Sequence, residues 1–513
     1  MLNRLSAFSF SPAAGRRWLI GVAALVFSFG LLTYIQFASP HLIDHDGYYH
    51  IKMASLIRTE GIPVPFPWLP LTILDEAGYT DHHFLQHVLQ VPFTYLGDLR
   101  LAAKWAAIGS GTLAFMAFFW LLQRYEVRYP LFWLFLLFAS SNAFLFRMSM
   151  PRGQSLSLAL QCLVVFFLLT RHRLGLVVTS AVFVWAYNGF PLLGPLTICA
   201  VIAHFVVDKK IEYTLLLSVG VGIVLGLVLH PYFPRDIVFL WNHIVPKLFA
   251  SEFATSVGSE WYPYKSSVLL RNAPLAIGAY LTALLLTNRD EWKQDTPRLF
   301  FFLASTLYLL LLFKSRRFVE YFPPFAILFL AFTVRGWLRE HDLARVIRTE
   351  AWLGGFLLVS LALLWVFQST ITLARQEIAG SPDTAQYQGG AHWLATNTPA
   401  GARVFHTDWD EFPMLFYFNT HNTYLVGLDP DFMRLKNEKL FRSWEAITRG
   451  KVRQPEDAIL NDFGCEYVLA DNDHPEFIAL ANNNPRMRKM YEDQHTTVYR
   501  VLKNQLLIDL SKP

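Results

Sequence analysis

Long apolar runs alternate with short polar breaks from residue 18 to residue 373. A helix needs ~20 predominantly apolar residues to cross a bilayer, and fewer inside a bundle. By that measure the runs at 18–37, 101–123, 130–147, 154–170, 174–187, 190–207, 213–229, 267–287, 299–313, 318–334 and 352–373 predict about eleven membrane helices. A further stretch, 84–97, is interrupted by Gln86, His87, Gln90 and Pro92, and predicts an amphipathic or re-entrant helix. Beyond residue 380 the pattern changes. Short apolar runs at 402–405, 424–426, 467–469 and 496–501 are separated by helical segments and by turns such as Gly427-Leu428-Asp429-Pro430. Strands alternating with helices predict a small α/β domain over 375–513, after a polytopic α-helical membrane domain over 1–374. No internal repeat is visible.

Composition sharpens this picture. Of 513 residues, 54% are hydrophobic and 16% charged, with mean hydropathy +0.32. Soluble domains carry nearer ~25% charged residues, so the chain reads as an integral membrane protein. Aromatics at 16% suit interfacial belts. The net charge of +5 is too small to point to nucleic acid. Cys162, Cys199 and Cys465 imply no disulfide framework. The first apolar run lacks a small-residue cleavage site and reads as an uncleaved span.

Charge then orients the chain. With a cytoplasmic N-terminus carrying Arg4, Arg16 and Arg17, the inside loops hold Arg124 and Arg128, then Arg171 and Arg173, then Lys209 and Lys210. The remaining inside loops hold Arg289, Lys293 and Arg298, and finally Arg335, Arg339, Arg345 and Arg348. Every inside loop is basic, as the positive-inside rule asks. The outer face receives loops 38–100, 148–153, 230–266 and 314–317, and everything after 374. This predicts a multi-pass protein of the plasma (inner) membrane with its C-terminal domain periplasmic or extracellular.

Polar clusters fall on that outer face. Asp44-His45-Asp46-Gly47-Tyr48-Tyr49-His50 follows the first span. Its carboxylates and imidazoles suit a divalent cation or a general base, or one aspartate caps a helix starting near Gly47. Asp81-His82-His83 with His87 offers ligands that a metal could share with Asp46, or interfacial polar residues at a helix start. Arg147, Arg152 and Gln154 flank a short loop, and arginine is the usual bidentate partner of phosphate; the alternative is snorkelling to lipid headgroups. Ser256-Val257-Gly258-Ser259-Glu260 lies in the 230–266 loop, where Glu260 alone would be a solvated carboxylate. Lys314, Arg316 and Arg317 break the charge rule and call for an anionic partner, a phosphate or a carboxylate such as Glu320. Together these clusters describe a site for an anionic substrate, with a phosphate-bearing lipid as the natural candidate.

At these residues the chain resembles the GT-C class of polyprenyl-phosphate-dependent glycosyltransferases, and most of all the catalytic subunit of oligosaccharyltransferase. His45-Asp46-Gly47-Tyr48-Tyr49-His50 is similar to that family's first-loop acidic motif, Phe-Asp-Pro-Tyr-Phe-Asn. The resemblance implies that Asp46 is the catalytic carboxylate, with Tyr48 beside it in the substrate site. Ser256-Val257-Gly258-Ser259-Glu260 resembles the Ser-Val-Ser-Glu motif with one inserted residue and implies a role for Glu260 on a loop that closes over the donor. Arg316 or Arg317 matches an arginine that contacts donor phosphates, and Arg147 matches the arginine of the second outer loop. Asp408-Trp409-Asp410-Glu411-Phe412 is similar in part to the Trp-Trp-Asp-Tyr-Gly acceptor motif, which implies Trp409 and Asp410 in acceptor binding. The family's metal-binding acidic pair is absent, and Gln154 lies near its place. A metal, Mg or Mn by resemblance and Zn if bound by histidine, would then use Asp46, His82 and His83, with Asp44 and His50 as lesser choices.

The implied activity is inverting transfer of a sugar or oligosaccharide from a polyprenyl-phosphate or -diphosphate donor to a protein, lipid or glycan acceptor. The alternatives are a flippase for a lipid-linked glycan and a non-catalytic assembly subunit of the same fold. Nearly charge-free span interiors weigh against transport.

Overall fold

The computed structural model describes residues 12–244, 258–287, 293–341 and 350–503. Ser256 and Val257, and the basic residues Arg4, Arg289, Arg345 and Arg348, lie outside these described residues.

A helix stands at each place where an apolar run predicts one, but the helices are not all of spanning length. Five described helices are long and apolar enough to cross a membrane, or up to seven if each bent pair is one span. The predicted span count of about eleven is therefore not reproduced by length. Gln154–Thr170, Arg173–Ala186 and Tyr213–Val228 are shorter apolar helices. At 14 residues, Arg173–Ala186 is about 21 Å long, short of a hydrocarbon core of about 30 Å. The run at 130–147 breaks into Pro130–Ala139 and Asn142–Met148, bent by 97°. Ser141 causes the second start: its hydroxyl accepts the Phe144 N–H at 3.1 Å as an N-cap. The run at 267–287 breaks into Ser266–Asn272 and Pro274–Leu286, bent by 89°. Pro274 has no N–H to continue the first helix and suits the first turn of the next. Residues 84–97 form helix Phe84–Gln90 and a 3-10 turn, Val91–Leu96, which pack against helices Asp46–Glu60 and Leu99–Arg124.

The C-terminal region holds five strands: β1 (Arg403–His406), β2 (Thr423–Tyr424), β3 (Tyr467–Asp471), β4 (Met487–Glu492) and β5 (Thr496–Val501). Their order is β2-β1-β3-β5-β4. β1 runs parallel to β2 and β3, whereas β3–β5 and β5–β4 are antiparallel. β3 is buried at every position, as expected of a central strand covered on both faces. β4 is the strand that the apolar pattern misses. It reads Met-Arg-Lys-Met-Tyr-Glu and lies at the sheet edge, where charge is tolerated and discourages further pairing.

This region rests on the loop that follows the first helix. Trp68 Nε1 donates to the Thr420 carbonyl at 2.9 Å, and Tyr424 N–H donates to the Trp68 carbonyl at 2.8 Å. Aromatic residues from both segments, including Tyr49, Phe66, Tyr79, Phe412 and Phe416, share one apolar core. The floor of that seam is where the polar clusters meet.

Candidate active site

Helix Asp46–Glu60 begins inside the seam. Asp44 Oδ1 accepts the Gly47 N–H at 2.9 Å, so Asp44 performs the capping role. Gly61, at φ 86, ends the helix in a backbone conformation that favours glycine. Gly47 matters for another reason: a Cβ there would lie 2.6 Å from Pro151. Its absence lets the 148–153 loop close onto the helix start and delivers Arg152 to the aspartates. Arg152 Nε lies 2.5 Å from Asp44 Oδ2, and its Nη2 lies 2.5 Å from Asp46 Oδ2.

A second knot of charge adjoins the first. Arg147, at the end of helix Asn142–Met148, donates through Nε to Glu320 Oε1 at 2.9 Å and also through Nη2 to the same oxygen. Its Nη1 is 2.5 Å from Glu260 Oε2. Glu260 is further approached by Arg317 at 3.5 Å and Arg152 at 3.9 Å. Arg317 donates to the Tyr187 hydroxyl at 2.7 Å and stacks over Trp261 at 4.9 Å. Three arginines thus face Asp44, Asp46, Glu260 and Glu320. Each buried cation has a partner, without which burial would be prohibitive.

All of these charged groups except the sealed Glu320 line one cavity of about 440 Å³, bounded on the C-terminal side by Trp409, Asp410 and Asp429. Its electrostatics are uneven. Burial raises the pKa of Asp46 to about 6, with Arg152 opposing and Asp44 reinforcing the shift. Burial would also raise that of Glu260, but Arg147, Arg317 and Arg152 outweigh it and hold the carboxylate well below its ordinary range. Asp410 is raised to about 7 by burial and by neighbouring Asp408. Burial, opposed in part by Asp81, lowers His82 to about 4. Burial and then His87 hold His50 well below the ordinary histidine value.

Most sequence-predicted site residues converge here: Asp44, Asp46, His50, His82, His83, Arg147, Arg152, Gln154, Glu260, Arg317, Trp409 and Asp410 all line the cavity. Tyr48 does not. It sits two residues after Asp46, about 200° around the helix, and its hydroxyl is buried 2.6 Å from Thr384 Oγ1. Of the arginine pair, Arg317 enters the cavity, whereas Arg316 donates to the Pro263 carbonyl at 3.3 Å and lies over Tyr264. Glu320 bonds Arg147 and is not held by the Lys314-to-Arg316 turn. Glu260 is no solvated carboxylate but the hub of the arginines.

The metal set is corrected as well. Among the described residues, no group of three or more His, Cys, Asp or Glu side chains is placed to hold a metal ion. Asp46 shares the Arg152 guanidinium with Asp44, so the cation between the two aspartates is supplied by the chain itself. His82 stacks on Phe239 with centroids 4.6 Å apart, and His83 packs against His50 and Tyr187. Asp46, His82 and His83 therefore do not form a ligand set. Tyr187, Asn188 and Asp429 line the cavity without having been singled out. The break between the apolar runs near 188 and the turn before Pro430 are the signals that could have found them.

No family model and no curated protein matches the chain. Solved structures do. The oligosaccharyltransferase of Archaeoglobus fulgidus in its apo form aligns over 94% of this chain and 74% of its own, at TM-score 0.63 and 13% identity. The archaeal oligosaccharyltransferase AglB from the same organism, in complex with an inhibitory peptide and a dolichol-phosphate, aligns over 97% of this chain and 75% of its own, at TM-score 0.63 and 12% identity. ArnT from Cupriavidus metallidurans bound to undecaprenyl phosphate aligns over 98% and 100%, at TM-score 0.58 and 14% identity. The neighbours are GT-C superfamily membrane glycosyltransferases, and at these identities the chain shares with them the fold of a multi-pass membrane protein.

Proposed function

We propose that this protein is an inverting membrane glycosyltransferase that moves a sugar or oligosaccharide from a polyprenyl-phosphate-linked donor to an acceptor nucleophile. One observation carries the reading: Arg147, Arg152 and Arg317 converge with Asp46 in a single cavity at the helix ends. A leaving phosphate gathers negative charge as the glycosidic bond breaks. Preorganised guanidinium groups in a site shielded from water stabilise that charge, usually the largest single contribution to catalysis. Asp46, paired with Arg152 at the start of its helix, binds and activates the acceptor nucleophile. Glu260 holds the arginines in place until the donor phosphate takes its position among them.

The surroundings support a lipid donor. An apolar cleft lined by Pro191, Leu192, Phe318 and Tyr321 meets the cavity at Tyr187, Trp261 and Arg317, giving the prenyl chain a path from the helices to the arginines. The archaeal enzyme and ArnT were each solved with a polyprenyl-type phosphate. The C-terminal region, through Trp409 and Asp410, supplies the acceptor side. In this reading residues 1–374 form the catalytic membrane domain and 375–513 an α/β domain on the outer face of the inner membrane, with the N-terminus in the cytoplasm. The acceptor is a protein, a lipid or a glycan.

The test uses purified full-length protein in lipid nanodiscs with a panel of undecaprenyl-phosphate- and -diphosphate-linked sugars. Sugar release or transfer is followed by mass spectrometry, and Asp46→Asn is expected to suppress it. Undiminished transfer in that variant would remove Asp46 from the mechanism. Absence of turnover on every donor would remove the reading itself.

A further inference from the structure

His50, His82 and His83 also line the cavity, and His50 is wired to a buried carboxylate. His50 follows Asp46 by one helical turn, so both side chains face the cavity. His50 Nδ1 lies 2.7 Å from His87 Nε2. His87 Nδ1 lies 2.7 Å from Asp81 Oδ2, and both side chains are sealed from solvent, at 0% and 1% exposure. The other Asp81 oxygen accepts the His83 backbone N–H at 3.1 Å. His50 lines the cavity, and among the described residues its Nε2 makes no hydrogen bond.

Hydrogen-bond chemistry orders this chain. An ionised carboxylate only accepts, so His87 Nδ1 carries a proton toward Asp81. When His87 carries that proton alone, its Nε2 is a lone pair and the proton between the two rings sits on His50 Nδ1. His50 Nε2 consequently offers a lone pair to whatever enters the cavity.

We propose that His50, His87 and Asp81 form a proton relay that receives the acceptor's proton during glycosyl transfer, with His50 as its catalytic residue and His87 and Asp81 as positioning residues. The inference rests on the glycosyltransferase reading and specifies where its proton goes. As the acceptor oxygen or nitrogen bonds to the anomeric carbon, the bond from that carbon to the phosphate oxygen breaks, and its electron pair leaves with the phosphate. The acceptor's proton moves to His50 Nε2, and the His50 Nδ1 proton moves to His87 Nε2. The product state is an imidazolium at His87 against the Asp81 carboxylate, with no further reactant required. The second transfer matters because a charge left on His50 would be buried near Arg152 and His82. At His87 the same charge meets its counter-ion.

Two measurements test this on the full-length protein in lipid. Solid-state ¹⁵N NMR of histidine-labelled protein, assigned by loss of signals in His50→Gln, reads the tautomers directly. His50 and His87 are expected neutral with protons on Nδ1. A wild-type His50 protonated on Nε2 would overturn the relay, whether or not any substrate is known. The second measurement uses the donor panel above with water as the acceptor. His50→Ala is expected to slow sugar release about 10²- to 10⁴-fold, with the donor KM unchanged and with partial rescue by added imidazole. An active wild type with an equally active His50→Ala sinks the relay alone. A wild type inactive on every donor sinks the glycosyltransferase reading, and the catalytic role of the relay with it. Asp81→Glu, which keeps the carboxylate, is expected to retain more activity than Asp81→Asn, since an amide can set the wrong tautomer; equal activities would remove Asp81 from the relay.

Discussion

At the loop end of helices Thr296–Lys314 and Phe322–Glu340, a cavity of about 440 Å³ is lined by Arg147, Arg152 and Arg317 and by the carboxylates of Asp44, Asp46, Glu260, Asp410 and Asp429. At the other end of the same two helices, a cavity of about 1060 Å³ is walled by Phe132, Trp133, Trp337, Phe356 and Leu363. The larger one has ample room for an apolar ligand. Only two charged side chains, Arg298 and Glu340, line it among the described residues. In the smaller one, charges from four separate segments are held against one another at a cost in desolvation that only good pairing offsets. Volume is thus a poor guide to chemistry here. Convergence of buried charge is the better one.

The contrast can be broken by mutation. The largest effect is expected from Arg147→Met, which strands Glu320, at 0% exposure, and Glu260 without their main cation. The loss should be about 3–5 kcal/mol, read from thermal unfolding in detergent, and Glu320→Gln in the same chain should recover part of it. Trp337→Ala, at the other cavity and 46% exposed, should stay within about 0.5 kcal/mol. Equal losses would erase the distinction between the two ends.

Next in size is Arg317→Ala. It removes a charged donor from the arginine cluster, and binding of undecaprenyl phosphate, measured by native mass spectrometry, should weaken roughly 10- to 100-fold. Phe356→Ala should leave that binding unchanged. If it weakens binding more than Arg317→Ala does, the lipid phosphate sits at the wrong end.

A smaller effect concerns pH. Asp46 must be ionised to accept a proton-bearing nucleophile, and its pKa is raised to about 6 by burial. Transfer should therefore rise with pH through about 6. The same shift works against stability. The folded state holds this proton to higher pH than the unfolded chain does, so Asp46 contributes most below the unfolded value near 4 and loses that contribution as pH rises through 6. A rate profile flat across pH 5–7 would contradict the ionisation requirement. Smallest of all, Glu260→Gln should tighten undecaprenyl phosphate binding by less than Arg317→Ala weakens it, because the phosphate no longer competes with a carboxylate for Arg147 and Arg317. Weaker binding in that variant would instead make Glu260 part of the donor site.

Local physics decided what could be read from the chain. Apolar runs placed a helix at every expected position, because twenty apolar residues have few other ways to satisfy their backbone in a bilayer. Alternating runs located β1, β2, β3 and β5, while β4 escaped notice because an edge strand needs no apolar face. The acidic heptapeptide, the arginines and Trp409-Asp410 were legible as polar residues crowded at one end of apolar helices. The membrane character, the helical and α/β regions, and the set of residues available for chemistry were all legible in the order of residues alone.

Tertiary structure decided their partners. Asp46, Arg152, Glu260 and Glu320 are far apart in the chain, and nothing local dictates which carboxylate each guanidinium meets. Helix rotation turned His50 toward the cavity and Tyr48 away from it. Close approach at Gly47 put Arg152 where a metal was expected. Long-range electrostatics and packing depend on distances that residue order does not encode locally, and so the pairing of charges emerged only from the folded chain.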